Sequence, residues 1–507
     1  MVSNKNLKLL SATILALLWV SGTLYAGTTA DVKVIGISEY HSAIEANRGV
    51  GGVAKLATAL NILSEPGVPT FKFSSGDNVV GTIFYTIFDG QAETMFLNLL
   101  GFDASSLGNH EFDKGPEFLA EILDLANFPY LAANVEVTEG HVLQGKFKPW
   151  TIVEKGPVRA GVIGLVIEET PVISNPGPGI RFTDSVVATR RAVEELTHLG
   201  IDFIVLVSHS GETVDQAVVE AVPGIDVVLS GHTGTVIREP IVVMHDGAPT
   251  LIFQAGSRLG YVGSLDVRLE DGVITSWSYM LLPLEENIQP DPAISSLITV
   301  LGGVISAQVD QPIGRSAVLL EGVRETRVSR ERETNMGDLI TDTMLWANPQ
   351  AEIAIQNGGG IRADIPAGQV TSRQILEVLP FGNTMVILEL TGMQILEALE
   401  NGVSQYENNA GRFAQVAGLS YTFDPSQPVG SRIVDVKFAG APLDLERVYA
   451  VVTNNFMADG GDGYTVFQEA QSRFDTQVGL AEAVIDFIQE HTPVNPGLEG
   501  RITRVGG

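Results

Sequence analysis

The sequence predicts two domains, the first of them an α/β fold in which many neighbouring strands run parallel. A chain of 507 residues is too long for a single hydrophobic core. Apolar segments of strand length alternate with amphipathic helical segments through the first half, which is typical of a layered α/β fold. A polar, proline-bearing segment, LPLEENIQPDPAI, interrupts this alternation at residues 282–294. We therefore expect one domain over residues 31–290, a linker or hinge helix over residues 291–312, and a second domain over residues 313–507.

The chain opens with the pattern of a secretory signal peptide. Lys5 and Lys8 precede an uncharged stretch from Leu9 to Ala30, with small residues around Ala26. We expect a leader over residues 1–26 that is cleaved after Ala26 and directs the protein to the periplasm or the extracellular space. An uncleaved membrane anchor is the alternative, but Ser, Thr and Gly interrupt the apolar stretch. No later segment is long and apolar enough to be predicted to span a bilayer.

The composition limits the kinds of partner. The formal net charge is −29, whereas nucleic-acid binding requires a basic face, so we expect no nucleic-acid partner. A small anionic substrate is compatible with this charge if local cations or metal ions supply the attraction. The chain contains no cysteine, so it forms no disulfide, and its stability must come from the size of its cores.

The elements of the first half follow one another in a regular order. Strands are predicted at residues 32–38, 70–77, 159–166, 202–209 and 226–232, and helices at residues 51–63, 92–100, 116–126 and 185–199. Three consecutive strands follow, at residues 250–256, 260–270 and 273–282, with an Asp-Gly turn between the last two. The end of the sheet is therefore predicted to be antiparallel.

The second half has helices and strands of its own. Helices are predicted at residues 335–348, 372–379 and 391–403, and strands at residues 351–356, 384–390 and 448–454. Neither half contains an internal repeat.

Histidine and carboxylate residues follow the predicted strands of the first half. Four of the eight histidines and two acidic residues lie at or just past a strand end, namely Glu39, His41, Asp77, His110, His209 and His232. The carboxyl ends of parallel strands share one edge of a sheet, so these side chains are predicted to meet there. Each histidine taken singly would more often be a hydrogen-bonded structural residue. Their coincidence favours a site for Zn²⁺, Mn²⁺ or Fe²⁺, which one shared carboxylate could make dinuclear.

Motifs in both halves resemble those of one family. The first half contains SSGDN, LGNHEFD, LVSHSG and PGIDVVLSGHT, and the second contains ETNMGDLITD, NGGGIRADIPAG, VLPFGNT and NNFMADGGDGY. In this order they resemble the motifs of the 5'-nucleotidase family, over nearly all of the chain after the leader. The resemblance implies a four-layer α/β/β/α metallophosphoesterase sandwich followed by an α+β substrate-binding domain.

The resemblance also implies roles for the strand-end residues. Asp77 would bridge two divalent metal ions, with Glu39 and His41 on the first and Asn109, His209 and His232 on the second. His110 would contact the substrate phosphate and stabilise the transition state or the leaving oxygen, and Asp113 would orient its ring. A helix cap is the alternative role for Asp113.

In the second half the resemblance implies a pocket for the nucleotide. Its residues would be Arg332, Asn357, Arg362, Phe381, Phe456 and Asp462. Aromatic faces can stack on a base, an arginine fork suits phosphate, and a carboxylate can accept hydrogen bonds from ribose hydroxyls. Without the resemblance, Phe381 and Phe456 would be expected in the core and Arg332 in surface ion pairs.

Two positions depart from the family's pattern. Glu39 replaces the usual aspartate of the first motif, which places its carboxylate one methylene further out. Gly234 lies two residues past His232, where the family usually supplies another metal ligand, and it has no side chain. The first metal would keep Glu39, His41 and the shared Asp77, so its occupancy is in question.

The sequence thus predicts an exported, metal-dependent phosphatase that hydrolyses nucleoside 5'-phosphates or related phosphate esters by attack of a metal-bound hydroxide. One alternative is a nucleotide-binding protein with a degenerate metal site. Another is a hydrolase of a cyclic phosphodiester, a nucleotide sugar or a sulfur ester. We expect a monomer whose cleft closes by movement near residues 285–312.

Overall fold

The computed structural model describes residues 29–47, 49–80, 82–323 and 328–506. The predicted signal peptide, residues 1–26, lies outside the described residues. Among those that are described, no helix is long and apolar enough to cross a membrane.

Two six-stranded sheets make up the centre of the first half. The first sheet has the order β14-β13-β1-β2-β3-β4 and consists of β1 (Thr29–Ile37), β2 (Thr70–Ser74), β3 (Ala104–Ser106), β4 (Tyr130–Leu131), β13 (Tyr261–Glu270) and β14 (Val273–Pro283). The second has the order β11-β12-β10-β9-β7-β6 and consists of β6 (Trp150–Lys155), β7 (Val158–Val166), β9 (Phe203–His209), β10 (Val227–Leu229), β11 (Ile241–His245) and β12 (Ala248–Phe253). A separate two-stranded sheet contains β5 (Val135–Val137) and β8 (Ile180–Phe182).

Helices cover the outer faces of the two sheets. They are α1 (Val53–Leu63), α2 (Ile83–Phe88), α3 (Gln91–Leu100), α4 (Gly115–Leu125), α6 (Ser185–His198) and α7 (Glu212–Ala221). The short helix α5 (Thr170–Ile173) instead lies against residues 461–463 of the second half. Leu56, Phe96 and Leu119 pack from α1, α3 and α4 on the first sheet, whereas Leu196 and Val218 pack from α6 and α7 on the second. The amphipathic pattern of these segments is therefore satisfied by burial of one face.

The inner faces of the sheets pack directly on each other. Phe71 and Phe73 of β2 share one buried cluster with Val205 and Val207 of β9 and Phe253 of β12. The central strands run parallel in both sheets, and so does β4 at one edge of the first sheet. The pairings of β1 with β13, β13 with β14, β11 with β12 and β6 with β7 are antiparallel. The layers are thus helix, sheet, sheet and helix, which confirms the predicted four-layer sandwich.

The three consecutive strands at the end of this half divide between the sheets. Asp271 and Gly272 have φ values of 51° and 81° and close the β13–β14 hairpin, as the Asp-Gly turn predicts. β12 instead pairs with β10 and β11 in the second sheet. The order of strands in the sequence did not show this division, because β11 with β12 in one sheet and β13 with β14 in the other are both antiparallel pairs of consecutive strands.

Helix α8 (Pro292–Val309) follows β14 and lies within residues 291–312, where the sequence predicts the linker. The Asp291 side chain caps its start by accepting hydrogen bonds from the amides of Ala293 and Ile294. Ile305 and Val309 belong to the buried cluster of α1, α3 and α4. The helix therefore packs on the first half of the molecule.

The second half is an α+β arrangement. Its five-stranded sheet has the order β19-β16-β23-β18-β24, its four-stranded sheet the order β22-β21-β20-β25, and β15 pairs with β17. The strands are β15 (Pro312–Ser316), β16 (Ile353–Asn357), β17 (Gly368–Thr371), β18 (Thr384–Thr391), β19 (Ala414–Ala417), β20 (Leu419–Phe423), β21 (Ile433–Phe438), β22 (Ala441–Pro442), β23 (Val448–Asn454), β24 (Arg473–Gly479) and β25 (Ile502–Arg504).

The helices of this half are α9 (Asn335–Ala347), α10 (Ser372–Val378), α11 (Gly392–Val403), α12 (Asn455–Ala458) and α13 (Leu480–His491). Thr371 and Thr391 begin α10 and α11 with capping boxes to Gln374 and Gln394. Buried side chains lie on both faces of the five-stranded sheet, with α11 on one side and with α9 and α13 on the other.

Candidate metal centre and substrate cavity

The loops that follow β1, β2, β3, β9 and β10 meet at one edge of the sandwich. The Ser38 hydroxyl donates a hydrogen bond to the Ser230 carbonyl at 2.8 Å, and Nδ1–H of His209 donates to the Ser75 carbonyl at 2.6 Å. These contacts join the loops of one sheet to the loops of the other. The strand-end residues predicted from the sequence therefore lie together at this edge.

Four of these residues have a backbone conformation that L-residues rarely adopt. Glu39, His41, Asp77 and His232 have φ values of 48°, 48°, 49° and 78°. Such conformations cost free energy and persist where the surroundings fix them, often at functional sites. Four of the predicted metal ligands thus have a strained backbone.

The buried Asp77 carboxylate lies at the centre of the cluster. Its Oδ2 is 3.1 Å from Nε2 of His209, 3.4 Å from Nε2 of His41 and 4.0 Å from Nε2 of His110. Its Oδ1 accepts a hydrogen bond from the backbone amide of His110 at 2.9 Å. A single carboxylate between several imidazoles is consistent with the bridging position predicted for Asp77.

The remaining predicted ligands surround this centre. Nε2 of His41 is 4.0 Å from Oε2 of Glu39, and Nδ1 of His232 is 3.1 Å from Oδ1 of Asn109. The rings of His209 and His232 are 5.2 Å apart. In the described part of the chain these side chains contact one another, and no three of the His and acidic residues are already arranged as a metal-binding group.

The donor atoms suit a divalent cation. Among the described residues, the fully buried Nε2 of His209 has no hydrogen-bond partner, and it lies 3.1 Å from Oδ2 of Asp77. Burial lowers the pKa of His41 to about 4, and burial together with His209 lowers the pKa of His232 to about 4. Both imidazoles are therefore neutral near pH 7, which is the form that binds metal ions.

The carboxylates of Asp77 and Glu39 supply the negative charge that would attract a cation to this cluster. Burial opposes ionisation of Asp77, but His209 and His110 hold the pKa of its carboxyl well below its usual range. Burial raises the pKa of Glu39 to about 7. A bound cation would stabilise both carboxylates in their charged form.

Glu111 positions the ligand loops, a role that the sequence did not reveal. Its fully buried carboxylate accepts hydrogen bonds from the amides of Gly108 at 2.6 Å, Asp77 at 3.0 Å and Asn78 at 2.6 Å. It thereby ties the loop after β2 to the loop after β3. Its place in the LGNHEFD motif indicated that Glu111 lies near the site. Its partners are backbone amides, which a sequence pattern does not identify.

His110 and Asp113 form the predicted pair. Nδ1 of His110 is 2.6 Å from Oδ2 of Asp113, and the Ser174 hydroxyl donates to Oδ1 of Asp113 at 2.8 Å. Burial acts against the charged imidazole, but Asp113 and Asp77 outweigh it and raise the pKa of His110 to about 9. Helix α4 has no side-chain cap, so the Asp113 carboxylate contacts the His110 ring and does not cap the helix. Ser174 was missed because it lies 61 positions away in sequence.

A cavity of about 240 Å³ opens beside the metal centre and is lined by both halves of the molecule. The first half contributes Asn109, His110, Asp113, Ile173 and His232, and the second contributes Arg330, Asn357, Gly359, Gly360, Arg362, Phe381, Asn383, Gly411, Phe456 and Asp462. Five of the six predicted pocket residues therefore line the cavity together with His110.

Aromatic and cationic side chains lie next to one another in the wall of this cavity. The Phe381 ring stacks near the His110 ring, with centroids 6.4 Å apart, and the guanidinium of Arg362 lies 5.5 Å from the Phe381 centroid. A Cβ atom at Gly461 would lie 2.4 Å from the Phe456 ring, so a glycine allows the ring to lie against the backbone.

Asp462 and Asn357 form the polar end of the cavity. Oδ2 of Asp462 accepts a hydrogen bond from Nδ2 of Asn357 at 2.7 Å, and Asn454 donates to Oδ1 of Asn357 at 3.0 Å. Burial raises the pKa of Asp462. The pair presents fixed carboxylate and amide groups, which suit hydroxyl groups of a ligand.

Arg332 does not line this cavity. Its side chain is 50 % exposed and pairs with Oε2 of Glu321 at 3.0 Å, as in the surface ion pair that the sequence left open. Arg330, two residues earlier, lines the cavity instead. The two arginines share one short acidic segment, so the sequence could not tell which of them faces inward.

Comparisons with known proteins agree with this architecture. Residues 312–469 match the family described as 5'-nucleotidase, C-terminal domain. The chain is 32 % identical to the 5'-nucleotidase of Bos taurus over 498 residues, which cover 90 % of this chain and 86 % of that protein. It is 31 % identical to the trifunctional nucleotide phosphoesterase protein YfkN of Bacillus subtilis, of which it spans only 35 %.

A solved structure is similar over almost the whole chain. The 5'-nucleotidase precursor from Thermus thermophilus superposes with a TM-score of 0.82 at 39 % identity, over 94 % of this chain and 99 % of that one. The match includes both sheets of the sandwich and the domain that follows. The chain therefore belongs to the 5'-nucleotidase family, and it is a phosphoric ester hydrolase.

Proposed function

We propose that this protein is an exported, metal-dependent phosphatase that hydrolyses nucleoside 5'-phosphates or related phosphate esters to nucleoside and phosphate. One observation carries the proposal. One cavity has His110, His232 and Asn109 of the strand-end cluster on one side and two phenylalanines, two arginines and Asp462 on the other. The names of the relatives, 5'-nucleotidase and nucleotide phosphoesterase, support the same substrate class. Export is proposed from the leader pattern of residues 1–26.

The residues proposed to hold two divalent cations are Glu39, His41, Asp77, Asn109, His209 and His232, with Asp77 shared between them. The family uses divalent metal ions, and Zn²⁺, Mn²⁺ and Fe²⁺ suit this set of nitrogen and oxygen donors. When bound, such cations would supply an activated water and offset the charge on the phosphoryl oxygens.

His110 is proposed to donate a proton at the reacting phosphate. Asp113 accepts from Nδ1, and Ser174 holds Asp113, so the ring is fixed in one orientation. Nε2 then faces the Asp77 carboxylate and carries the proton that can be delivered to the phosphate or the leaving oxygen. Arg330 and Arg362 would add guanidinium groups on the substrate side of the cavity.

Phe381 and Phe456 are proposed to bind the base, and Asp462 the ribose hydroxyls. Phe381 stacks near His110, so a base bound there would be held a short distance from the reacting phosphate. Base stacking is worth about 1–3 kcal/mol and tolerates every base, so purine and pyrimidine nucleotides should both be substrates.

The experiment compares hydrolysis of 5'-AMP with hydrolysis of ribose 5-phosphate, which lacks the base. We expect kcat/KM to be about 10- to 100-fold higher for 5'-AMP, and Phe456→Ala to remove most of that preference. Arg332→Ala is the control, since this residue lies outside the cavity. Equal rates on both substrates, unchanged in Phe456→Ala, would contradict a nucleotide-specific function.

A further inference from the structure

The two positions at which the sequence departs from the family pattern, Glu39 and Gly234, contact each other. The amide N–H of Gly234 donates a hydrogen bond to Oε1 of Glu39 at 2.6 Å. Nε2 of the buried Gln254 donates to the same oxygen at 3.2 Å. The other oxygen, Oε2, is 4.0 Å from Nε2 of His41. One carboxylate oxygen is thus held by the loop of Gly234, and the other faces the metal centre.

Gly234 leaves the space beside the Glu39 carboxylate open. A Cβ atom built there would lie 3.6 Å from Oε2 of Glu39, which is ordinary contact for a methyl group. A longer side chain would share this space with the Glu39 carboxylate and with Ser257, whose Oγ is 3.7 Å from the same Cβ position. The carboxylate of Glu39 therefore lies beside the space that a side chain at position 234 would enter.

We propose that Glu39 and Gly234 form a coupled pair in which the Glu39 carboxylate occupies the place of a side chain at 234 and is aimed at the first metal by the Gly234 amide. This inference rests on the proposed metal-dependent function. It implies that the first metal position is complete and not degenerate, because one residue compensates for the other.

The pair can be tested by a double-mutant cycle in which metal binding, not activity, is measured. Glu39→Asp shortens the carboxylate, so it no longer reaches the Gly234 amide. Gly234→Asn adds an amide side chain next to Oε2, and asparagine tolerates the φ of 67° found at this position. In the double variant the shorter aspartate side chain at position 39 leaves room for that amide oxygen.

Isothermal titration calorimetry with Mn²⁺ gives the affinity and stoichiometry for the metal-stripped wild type and the three variants. We expect each single variant to lose about 10- to 100-fold in affinity at one of two sites, and the double variant to recover to within a few-fold of the wild type. Losses that add in the double variant, or tighter binding by Gly234→Asn, would overturn the coupled pair.

Gly234→Ala serves as the second variant. Its methyl group would lie 3.6 Å from Oε2 and leave the Glu39 carboxylate in place. The φ of 67° strains an alanine, so we expect a lower Tm but two sites of near wild-type affinity. Loss of one site in this variant would overturn the proposal. If the wild type binds two ions but the losses in the double-mutant cycle are additive, the coupled pair is rejected and the proposed metal-dependent function is not. If the wild type binds no ion, both the coupled pair and the proposed function are rejected.

Discussion

At the residue scale, the cavity distinguishes two arginines that the sequence places almost side by side. Arg330 lines the cavity with Arg362, whereas Arg332 is half exposed and paired with Glu321. We expect Arg330→Ala to raise KM for 5'-AMP about 10-fold or more, because a charged hydrogen-bond donor to phosphate is worth about 1.5–3 kcal/mol. Arg332→Ala should leave KM within about two-fold. Initial-rate kinetics give KM for both variants. A larger increase in KM from Arg332→Ala than from Arg330→Ala would contradict the placement of these side chains.

Five of the six metal-ligand candidates were predicted because they lie at or just past a predicted strand end, and Asn109 was added by the resemblance to the family motifs. Glu39, His41, Asp77, Asn109, His209 and His232 needed only the strand pattern, the rule that parallel strands end at one edge, and the family motifs. Glu111, Ser174 and Arg330 needed the structure. Glu111 accepts from backbone amides, Ser174 is distant in sequence, and Arg330 differs from Arg332 only in the direction of its side chain.

At the scale of elements, two loops of the proposed metal centre approach each other closely. A Cβ atom at Gly108 would lie 2.2 Å from Oδ1 of Asp77 and 2.5 Å from its amide nitrogen. We expect Gly108→Ala to displace Asp77 and to lower metal affinity at least 10-fold, measured by competition with a chromogenic chelator.

The matched control is Gly303→Ala in helix α8. No atom lies within 4 Å of a Cβ atom there, and alanine favours a helix more than glycine does. This variant should bind metal as the wild type does and should be slightly more stable. Unchanged metal affinity in Gly108→Ala would show that the approach of the two loops does not position Asp77.

The strand and helix pattern predicted most of these elements, and its failures have physical causes. The segment of β12 is apolar and follows the same alternation as β13, so the sequence did not show that the two belong to different sheets. The four-stranded sheet of β20, β21, β22 and β25 was not predicted. β22 and β25 have only 2 and 3 residues, too few for an alternation to be read.

At the scale of the whole molecule, bound metal should contribute to stability. Asp77 and Glu39 are buried carboxylates, and removing a cation from beside them leaves buried charge uncompensated. A ligand present at about 100 times its Kd stabilises the folded state by about 2.7 kcal/mol. We expect chelator to lower the Tm of the wild type by several degrees and Mn²⁺ or Zn²⁺ to restore it, as followed by scanning calorimetry.

Asp77→Asn is the control for this effect, because it removes the shared carboxylate. Its Tm should be nearly independent of chelator. A wild-type Tm that chelator leaves unchanged would contradict a metal centre at this edge of the sandwich.

The arrangement of the two halves was predicted in outline. The sequence placed the metal centre in the first half and the base pocket in the second, and the cavity is lined by residues from both. Movement near residues 285–312 stays a prediction, although helix α8 packs on the first half through Ile305 and Val309. The amplitude of a domain movement depends on the relative stability of two arrangements, which no local pattern encodes.

The measurement that tests the central claim most directly is phosphate release from 5'-AMP by the mature protein, after chelation and again after addition of Mn²⁺ or Zn²⁺. We expect no turnover with chelator, turnover on addition of metal, and a loss of about 100-fold or more in His110→Ala. His198→Ala, a change on the exposed end of helix α6, should retain full activity. Turnover that persists with chelator or in His110→Ala would contradict metal-dependent hydrolysis at this cavity.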